Sequence, residues 1–437
     1  MGEKFIFPLK QGIGAPSEPG VFEGSSVRRG EKIATKPVDG LGSNIFSSID
    51  GIVKSVSENE IIIEKSDDSS SDYIHLKKDE PLKMIEESGL VGLGGAGFPT
   101  YAKLSKPIPS EGRFIINAAE CEPILSHNID SIELNPKPLI RGIEIVMEIL
   151  KAQRATIAIK AKHEKAVSIL KDALKENGDD RIDIHLLSDM YPMGEERALV
   201  REVMGKLLTV DEIPMAAGCV VSNVETVEKI YEIVDLQKPL IDKDVTIAGK
   251  INNEEKIHIF HNFPIGMTVA DAFALVGGAS SEAGELIMGG PFTGKRTSPE
   301  SPIIKTTGGL IATECFPKGP SKIGLLVCAC GADEKRLREL AASYGSEVTG
   351  VEFCKQALET RGTRKCLNPG KCPGQVAKVM NLKKSGAQAI LISNCTDCTN
   401  TVMSCAPKLG LPVYHATDLP LRACNIKLVR KIKEHID

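Results

Sequence analysis

The stretch GLVGLGGAGFPTYAKLSKP at residues 89–107 decides how the rest of the chain is read. It holds five glycines in nine residues, a Phe-Pro exit, and Lys103 six residues after the last glycine. Glycine reaches positive φ and leaves backbone N–H groups bare, so a phosphate or a flat ring can approach closely. A helix starting near Thr100 would add its positive N-terminal end. The plain alternative is a tight loop that needs positive φ and nothing more. The flanking sequence has to choose between the two.

Upstream, residues 1–78 predict short strands: IFPLK, GVFEG, EKIAT, NIFSS, GIVKSV and NEIIIE are β-rich or alternate, with Gly, Pro, Asp and Ser between them. The pattern resembles a biotinyl/lipoyl-type barrel-sandwich. Ile49-Asp50-Gly51 stands where a carrier lysine would be, so a structural module is expected. Downstream, residues 79–237 alternate strand and helix. RFIINAAECEP, ATIAIKA and RIDIHLLSD predict strands, KPLIRGIEIVMEILKA and HEKAVSILKDALKEN amphipathic helices, and SNVETVEKIYEIV a further helix from 222. This alternation implies a mostly parallel sheet, with ligands beyond the carboxyl ends of its strands. Residues 238–312 predict a small β-grasp module. Residues 322–437 return to strand–helix alternation, as a Cys-rich three-layer α/β domain. The fold class expected is therefore a multidomain α/β protein.

The 437 residues are 42% hydrophobic and 26% charged, an ordinary globular composition with a net charge of −4. No basic run supports nucleic-acid binding, and no apolar run nears the ~20 residues that cross a bilayer. The N-terminus, MGEKFIFPLK, lacks a signal-peptide core, so a cytoplasmic location is expected. Twelve cysteines then read as thiols, metal ligands or redox groups. Ten of them lie from Cys315 to Cys424, which marks a redox segment at the C-terminal end.

Four turns belong at the sheet ends: the Gly-rich loop, NAAECEP at 117–123, YPMGEE at 191–196 and SNVET at 222–226. Singly, Asn117 and Asn223 could be caps, Tyr191 core, and Glu195 and Glu196 helix N-terminal acids. Together they suit a large anionic cofactor with a polar ring.

In order and spacing these motifs resemble the NADH-oxidising flavoprotein of respiratory complex I. They resemble the C subunit of the Rnf electron-transport complex more closely, over about residues 5–312. The resemblance implies FMN as cofactor and NADH as hydride donor. Gly92, Gly94, Gly95 and Gly97 would line FMN and the nicotinamide nucleotide, and Phe98 would stack near the nucleotide. Lys103 would pair with the FMN phosphate, and Asn117 and Glu120 would hold the flavin and its ribityl chain. Tyr191, Gly194, Glu195 and Glu196 would border the flavin and nicotinamide rings, and Asn223 would reach FMN. Leu93 stands where the complex I flavoprotein has arginine, and Ala119 where it has aspartate. The Rnf protein also has two ferredoxin-like C-x2-C-x2-C-x3-C-P runs, which this chain lacks.

Its electron exit is therefore sought in the C-terminal cysteines. C-x-C, then C-P-G-x-V, then G-A-x-A-I-L-I-x-x-C-x-x-C resemble the delta subunit of methyl-viologen-reducing hydrogenase. That resemblance implies an iron–sulfur cluster on Cys328, Cys330, Cys372, Cys395 and Cys398. A thiol–disulfide relay at Cys395 and Cys398 is the rival, with buried small hydrophobes as the plain reading. The whole pattern resembles the electron-transfer proteins associated with D-proline reductase, which implies that reductase as partner. A docking protein without flavin, or a C-x-x-C thiol oxidoreductase, are the competing functions. A homo-oligomer is compatible with the sequence and not specified by it.

Overall fold

The computed structural model describes residues 3–67, 70–360, 362–393 and 396–428, with the side chains of 396–400 left out. In the N-terminal module, Lys4–Pro8, Glu60–Lys65, Gly51–Val56 and Ser26–Val27 form one antiparallel sheet. Glu18–Pro19, Lys32–Thr35 and Ile45–Phe46 form a second. Alternation along KFIFP and EIIIEK buries Phe5, Phe7, Ile61 and Ile63 on one face, as the period of a strand requires. At the carrier-type turn, Asp50 accepts the backbone N–H groups of Arg29 and Ser70, each at 2.8 Å.

The β-grasp stretch pairs Asp242–Gly249 with Ile257–Pro264 and, in parallel, with Gly309–Ala312. It does not stand apart. Val245, Ile247, Phe263, Ile303 and Leu310 pack into one core with Phe5, Phe7, Ile33 and Ile61 of the N-terminal module. Two stretches that read as separate modules bury one joint hydrophobic core.

The central sheet is parallel throughout, in the order Ile182–Leu187, Ala155–Lys160, Arg113–Ala118, Cys219–Asn223. Ala155–Lys160 is buried at every position, as expected of a strand covered on both faces. Cys219–Asn223 is a strand that the sequence reading misses. Its five residues run straight into the helix Val224–Asp235, so strand and helix periodicities merge. This strand matters for function. The chain leaves Arg113–Ala118 toward one side of the sheet and returns on the other. The switch point therefore lies between Arg113–Ala118 and Cys219–Asn223, where α/β sheets open a crevice.

The C-terminal domain orders Glu347–Phe353, Lys322–Val327, Ala389–Ile392 and Val413–His415 in a second parallel sheet. Leu325 and Leu391 face Leu337 and Leu340 on one side, while Leu326 and Ile390 face Val379 and Leu382 on the other. These are the expected three layers. A hairpin, Ala357–Thr360 with Thr363–Cys366, is added at the carboxyl edge. No helix among the described residues is long and apolar enough to cross a membrane.

Candidate functional site

A cavity of about 940 Å³ opens at the central switch point. Such a volume is within the range of cofactor pockets, roughly 300–1,000 Å³. Its walls come from three units: the central domain, the β-grasp segment around Gly290 and Thr306, and the C-terminal domain at Cys330 and Cys366.

The central wall holds most of the residues that the sequence singles out. Asn117 and Asn223 are register partners at the ends of adjacent strands, so their side chains share one edge. Asn117 Nδ2 donates to the Gly194 carbonyl at 2.9 Å, and Asn223 Oδ1 caps its helix by accepting the Glu225 N–H at 3.0 Å. Gly95 has open space where a Cβ would be, whereas a Cβ on Gly94 would come within 2.8 Å of the Asn223 amide. Gly194 is also confined, since a Cβ there would lie 3.3 Å from Cys121 Sγ. Glu195 caps the helix Glu196–Met204 through the Ala198 N–H at 3.0 Å. Tyr191 stacks on Phe292 at 3.7 Å between ring centroids, and its hydroxyl donates to the Cys330 carbonyl.

Glu120 lies on this wall with φ of 36° and accepts the N–H and Nδ2 of Asn128 at 3.2 and 2.9 Å. Burial pushes its carboxyl up to about 7, against the pull of the Asn128 donors. It therefore titrates near neutrality at the cavity edge. Glu122 lies on the same wall. It accepts the backbone N–H of Phe292 at 2.7 Å and of Thr293 at 3.0 Å, and so ties the β-grasp loop to the central domain.

Four expected residues fall elsewhere. Gly92, Gly97, Phe98 and Lys103 are not on the cavity lining. Gly92 N–H donates to the Phe98 carbonyl at 2.9 Å and closes the loop upon itself. Gly97 has φ of 70°, and a Cβ there would lie 2.8 Å from Gly12 Cα in the N-terminal module. Lys103 Nζ pairs with Glu196 at 2.9 Å and donates to the Val221 carbonyl at 2.9 Å. The helix at Thr100 is one turn long, Thr100–Lys103, and the Thr100 N–H is already bonded to the Leu90 carbonyl. Within the loop, Gly94 and Gly95 line the cavity, while Gly97 meets the N-terminal module and Lys103 pairs with Glu196.

Arg197 is the group that the sequence does not reveal. It is 6% exposed and lines the cavity. Its Nε donates to Glu195 at 2.9 Å, while its Nη1 has no hydrogen-bond partner among the described residues. The only sequence signal is a cation after two helix-N-terminal glutamates. A buried guanidinium with an unmatched donor, beside glycines without Cβ and paired asparagine amides, fits an anionic cofactor with a polar ring.

Two known families match the chain. One described as the Nuo51 FMN-binding domain matches residues 85–232, and one described as the RnfC barrel sandwich hybrid domain matches residues 1–80. The C subunit of a proton-translocating ferredoxin:NAD(+) oxidoreductase complex from Clostridium ljungdahlii is 32% identical over 328 residues, 71% of this chain and 70% of the relative. The chain belongs to the family of Rnf-type C subunits. Its counterpart in a Na(+)-translocating ferredoxin:NAD(+) oxidoreductase complex from Acetobacterium woodii is 30% identical over 74% of this chain and 75% of that one. The cobalamin reductase PduS of Salmonella typhimurium is 30% identical over 77% and 69%. A solved NAD+-reducing [NiFe]-hydrogenase superposes at a TM-score of 0.45 with 21% identity, over 53% of this chain and 46% of that one, which is too slight to build on. The family confirms the barrel-sandwich and flavin-domain architecture expected from the sequence.

The cysteines gather at the carboxyl edge of the C-terminal sheet. Cys328, Cys330, Cys354, Cys366 and Cys372 surround a void of about 10 Å³, about the room of one water. Cys354 and Cys366 are additions to the expected set. Of the expected set, Cys395 lies outside the described residues, and Cys398 is described only as part of the helix Thr396–Cys405. Among the described residues no group of three or more His, Cys, Asp or Glu is arranged to hold a metal ion.

Proposed function

We propose that the chain is an NADH-dependent electron-transfer flavoprotein that passes electrons through its C-terminal cysteines to a partner reductase. The observation that carries this is one cavity joining the Gly94–Gly95 cradle, the Asn117–Asn223 edge and the unmatched Arg197 donor, within the segment that matches an FMN-binding family. Backbone N–H groups at Gly94 and Gly95 and the Arg197 guanidinium would hold the phosphate of FMN. Asn117, Glu120 and Asn223 would orient its polar ring and ribityl chain, and Glu195, Glu196 and Gly194 would border the nicotinamide. FMN, when bound, supplies the change from two-electron hydride acceptance to onward electron transfer. Glu120, titrating near neutrality, can hold or release a proton beside that ring.

Tyr191, on the cavity lining, stacks on Phe292 in a cluster that also holds Cys121, Cys328, Cys330 and Cys372. The partner reductase we assign is D-proline reductase, on the resemblance of the front end and the Cys-rich back end taken together. Anaerobic absorption spectra with and without NADH test the entrance. A flavin spectrum bleached by NADH is expected, and a colourless protein that takes up no added FMN overturns the reading. Iron and sulfide analysis separates a cluster from a dithiol exit. Reduction of purified D-proline reductase by NADH only in the presence of this chain tests the partner.

A further inference from the structure

We propose that Cys330 and Cys366 form a redox dithiol that takes two electrons directly from the group bound in the large cavity, ahead of Cys328, Cys354 and Cys372. This rests on the flavin reading above and adds the first acceptor to it.

The placement of the two residues carries the proposal. Five cysteines surround the small sulfur-lined void, but of these five only Cys330 and Cys366 also line the large cavity. Cys330 follows the strand Lys322–Val327, and Cys366 ends the hairpin strand Thr363–Cys366, so tertiary structure alone brings them together. Both border the same void of about 10 Å³, where Cys366 Sγ donates to Gln356 Oε1 at 3.6 Å. Cys328, Cys354 and Cys372 border the small void but not the large cavity. Gln375 Nε2 donates to Cys354 Sγ at 3.0 Å and to Cys372 Sγ at 3.4 Å, and Cys372 packs in one cluster with Cys328 and Cys330. Cys328 is 5% exposed, and Cys121 on the cavity wall accepts the Gly194 N–H at 2.9 Å.

The elements that carry the pair are fixed. Tyr191 bonds the Cys330 carbonyl, Arg201 Nη1 donates to Asn368 and to the Pro369 carbonyl at 2.6 and 2.7 Å, and Lys365 Nζ donates to the Val210 carbonyl at 2.9 Å. Two cysteines held on one void by fixed elements are placed for a disulfide.

The step balances. In the oxidised pair the Cys330–Cys366 S–S bond breaks, two electrons and two protons enter, and two thiols form. The reductant is a dihydroflavin, which gives up the same two electrons and two protons. A second dithiol–disulfide exchange would then carry the electrons outward.

The test begins with the full chain, purified anaerobically and freed of flavin. It is equilibrated in dithiothreitol redox buffers, alkylated, digested and analysed by mass spectrometry. A peptide linking Cys330 to Cys366 is expected at oxidising poise, with two alkylated cysteines at reducing poise. The midpoint should move with pH as equal numbers of protons and electrons require. FMN and NADH added to the oxidised chain should then release both thiols. Separate alkylation of Cys330 and Cys366 at every poise, or a link from Cys330 to Cys121 instead, overturns the pair. Flavin bleached by NADH with the disulfide left intact also overturns it, while leaving the flavoprotein reading in place. A disulfide that forms in a chain that never binds FMN sinks the flavoprotein reading, and the direct transfer with it. Cys366→Ser should abolish the linked peptide. If that variant does not fold, Cys330→Ser gives the same readout.

Discussion

Arg197 carries the sharpest consequence at the scale of one side chain. A buried donor without a partner costs about 1–3 kcal/mol, which a bound phosphate would relieve with a charge-assisted bond. Arg197→Met should therefore weaken FMN binding about 10- to 100-fold, at roughly 1.4 kcal/mol per tenfold, and leave the melting temperature of the flavin-free chain unchanged or raised. Fluorescence titration with FMN and a thermal melt check the two parts; unchanged affinity removes Arg197 from the site. His261 makes a pH prediction. Its ring bonds Asp244 at 2.7 Å and Asp130 at 2.8 Å, and these carboxylates raise it to about 9. A raised cationic pKa stabilises the fold fully below the ordinary value near 6.5 and loses that contribution as pH climbs through 9. The melting temperature should fall between pH 6.5 and 9, and His261→Gln should flatten that slope.

Among the elements, the Gly-rich loop divides its glycines between two tasks, and substitutions should separate them. Gly97→Ala meets both a positive φ and the Gly12 backbone, so it should lower the urea midpoint. Gly94→Ala keeps an ordinary φ but pushes on Asn223, so its main effect should appear in FMN titration. The loop is anchored at its start by Lys305, which is 1% exposed. Burial alone pushes that amine down to about 7. Its Nζ nevertheless donates to the Asn44 carbonyl at 2.6 Å, the Gly89 carbonyl at 2.8 Å and Ser43 Oγ at 3.1 Å, and three acceptors suit the ammonium form. Lys305→Met strands two buried carbonyls and should cost about 2–5 kcal/mol in urea unfolding. Of this element, the sequence made the glycines legible but not their division of labour, because the partners Gly12, Asn223 and Lys305 are distant in the chain.

Across the whole molecule, the cavity exists only where three units meet. The C-terminal domain is held to it by Arg201, Lys365 and Tyr191, and to the β-grasp segment by the buried pair of Arg336 with Glu285. Arg201→Ala should loosen that docking. Faster deuterium exchange in the hairpin of residues 357–366, with the central sheet unchanged, is the expected result.

Local order and composition determined a great deal by themselves. Strand–helix alternation, the glycine spacing and the motifs at 117–123, 191–196 and 222–226 sufficed for a parallel α/β flavin-type domain behind a barrel-sandwich, because periodicity and turn chemistry are written in neighbouring residues. Asn117, Glu120, Tyr191, Gly194, Glu195, Glu196 and Asn223 do meet at one cavity. Only the tertiary structure decided that Gly97 meets Gly12, that Lys103 pairs with Glu196, that Arg197 faces the cavity with an unmatched donor among the described residues, and that Cys366 and Cys330 border one void. Each of those facts depends on what a side chain meets across the fold. The distance between partners along the chain, 294 residues for Lys305 and Gln11, leaves no trace in local pattern.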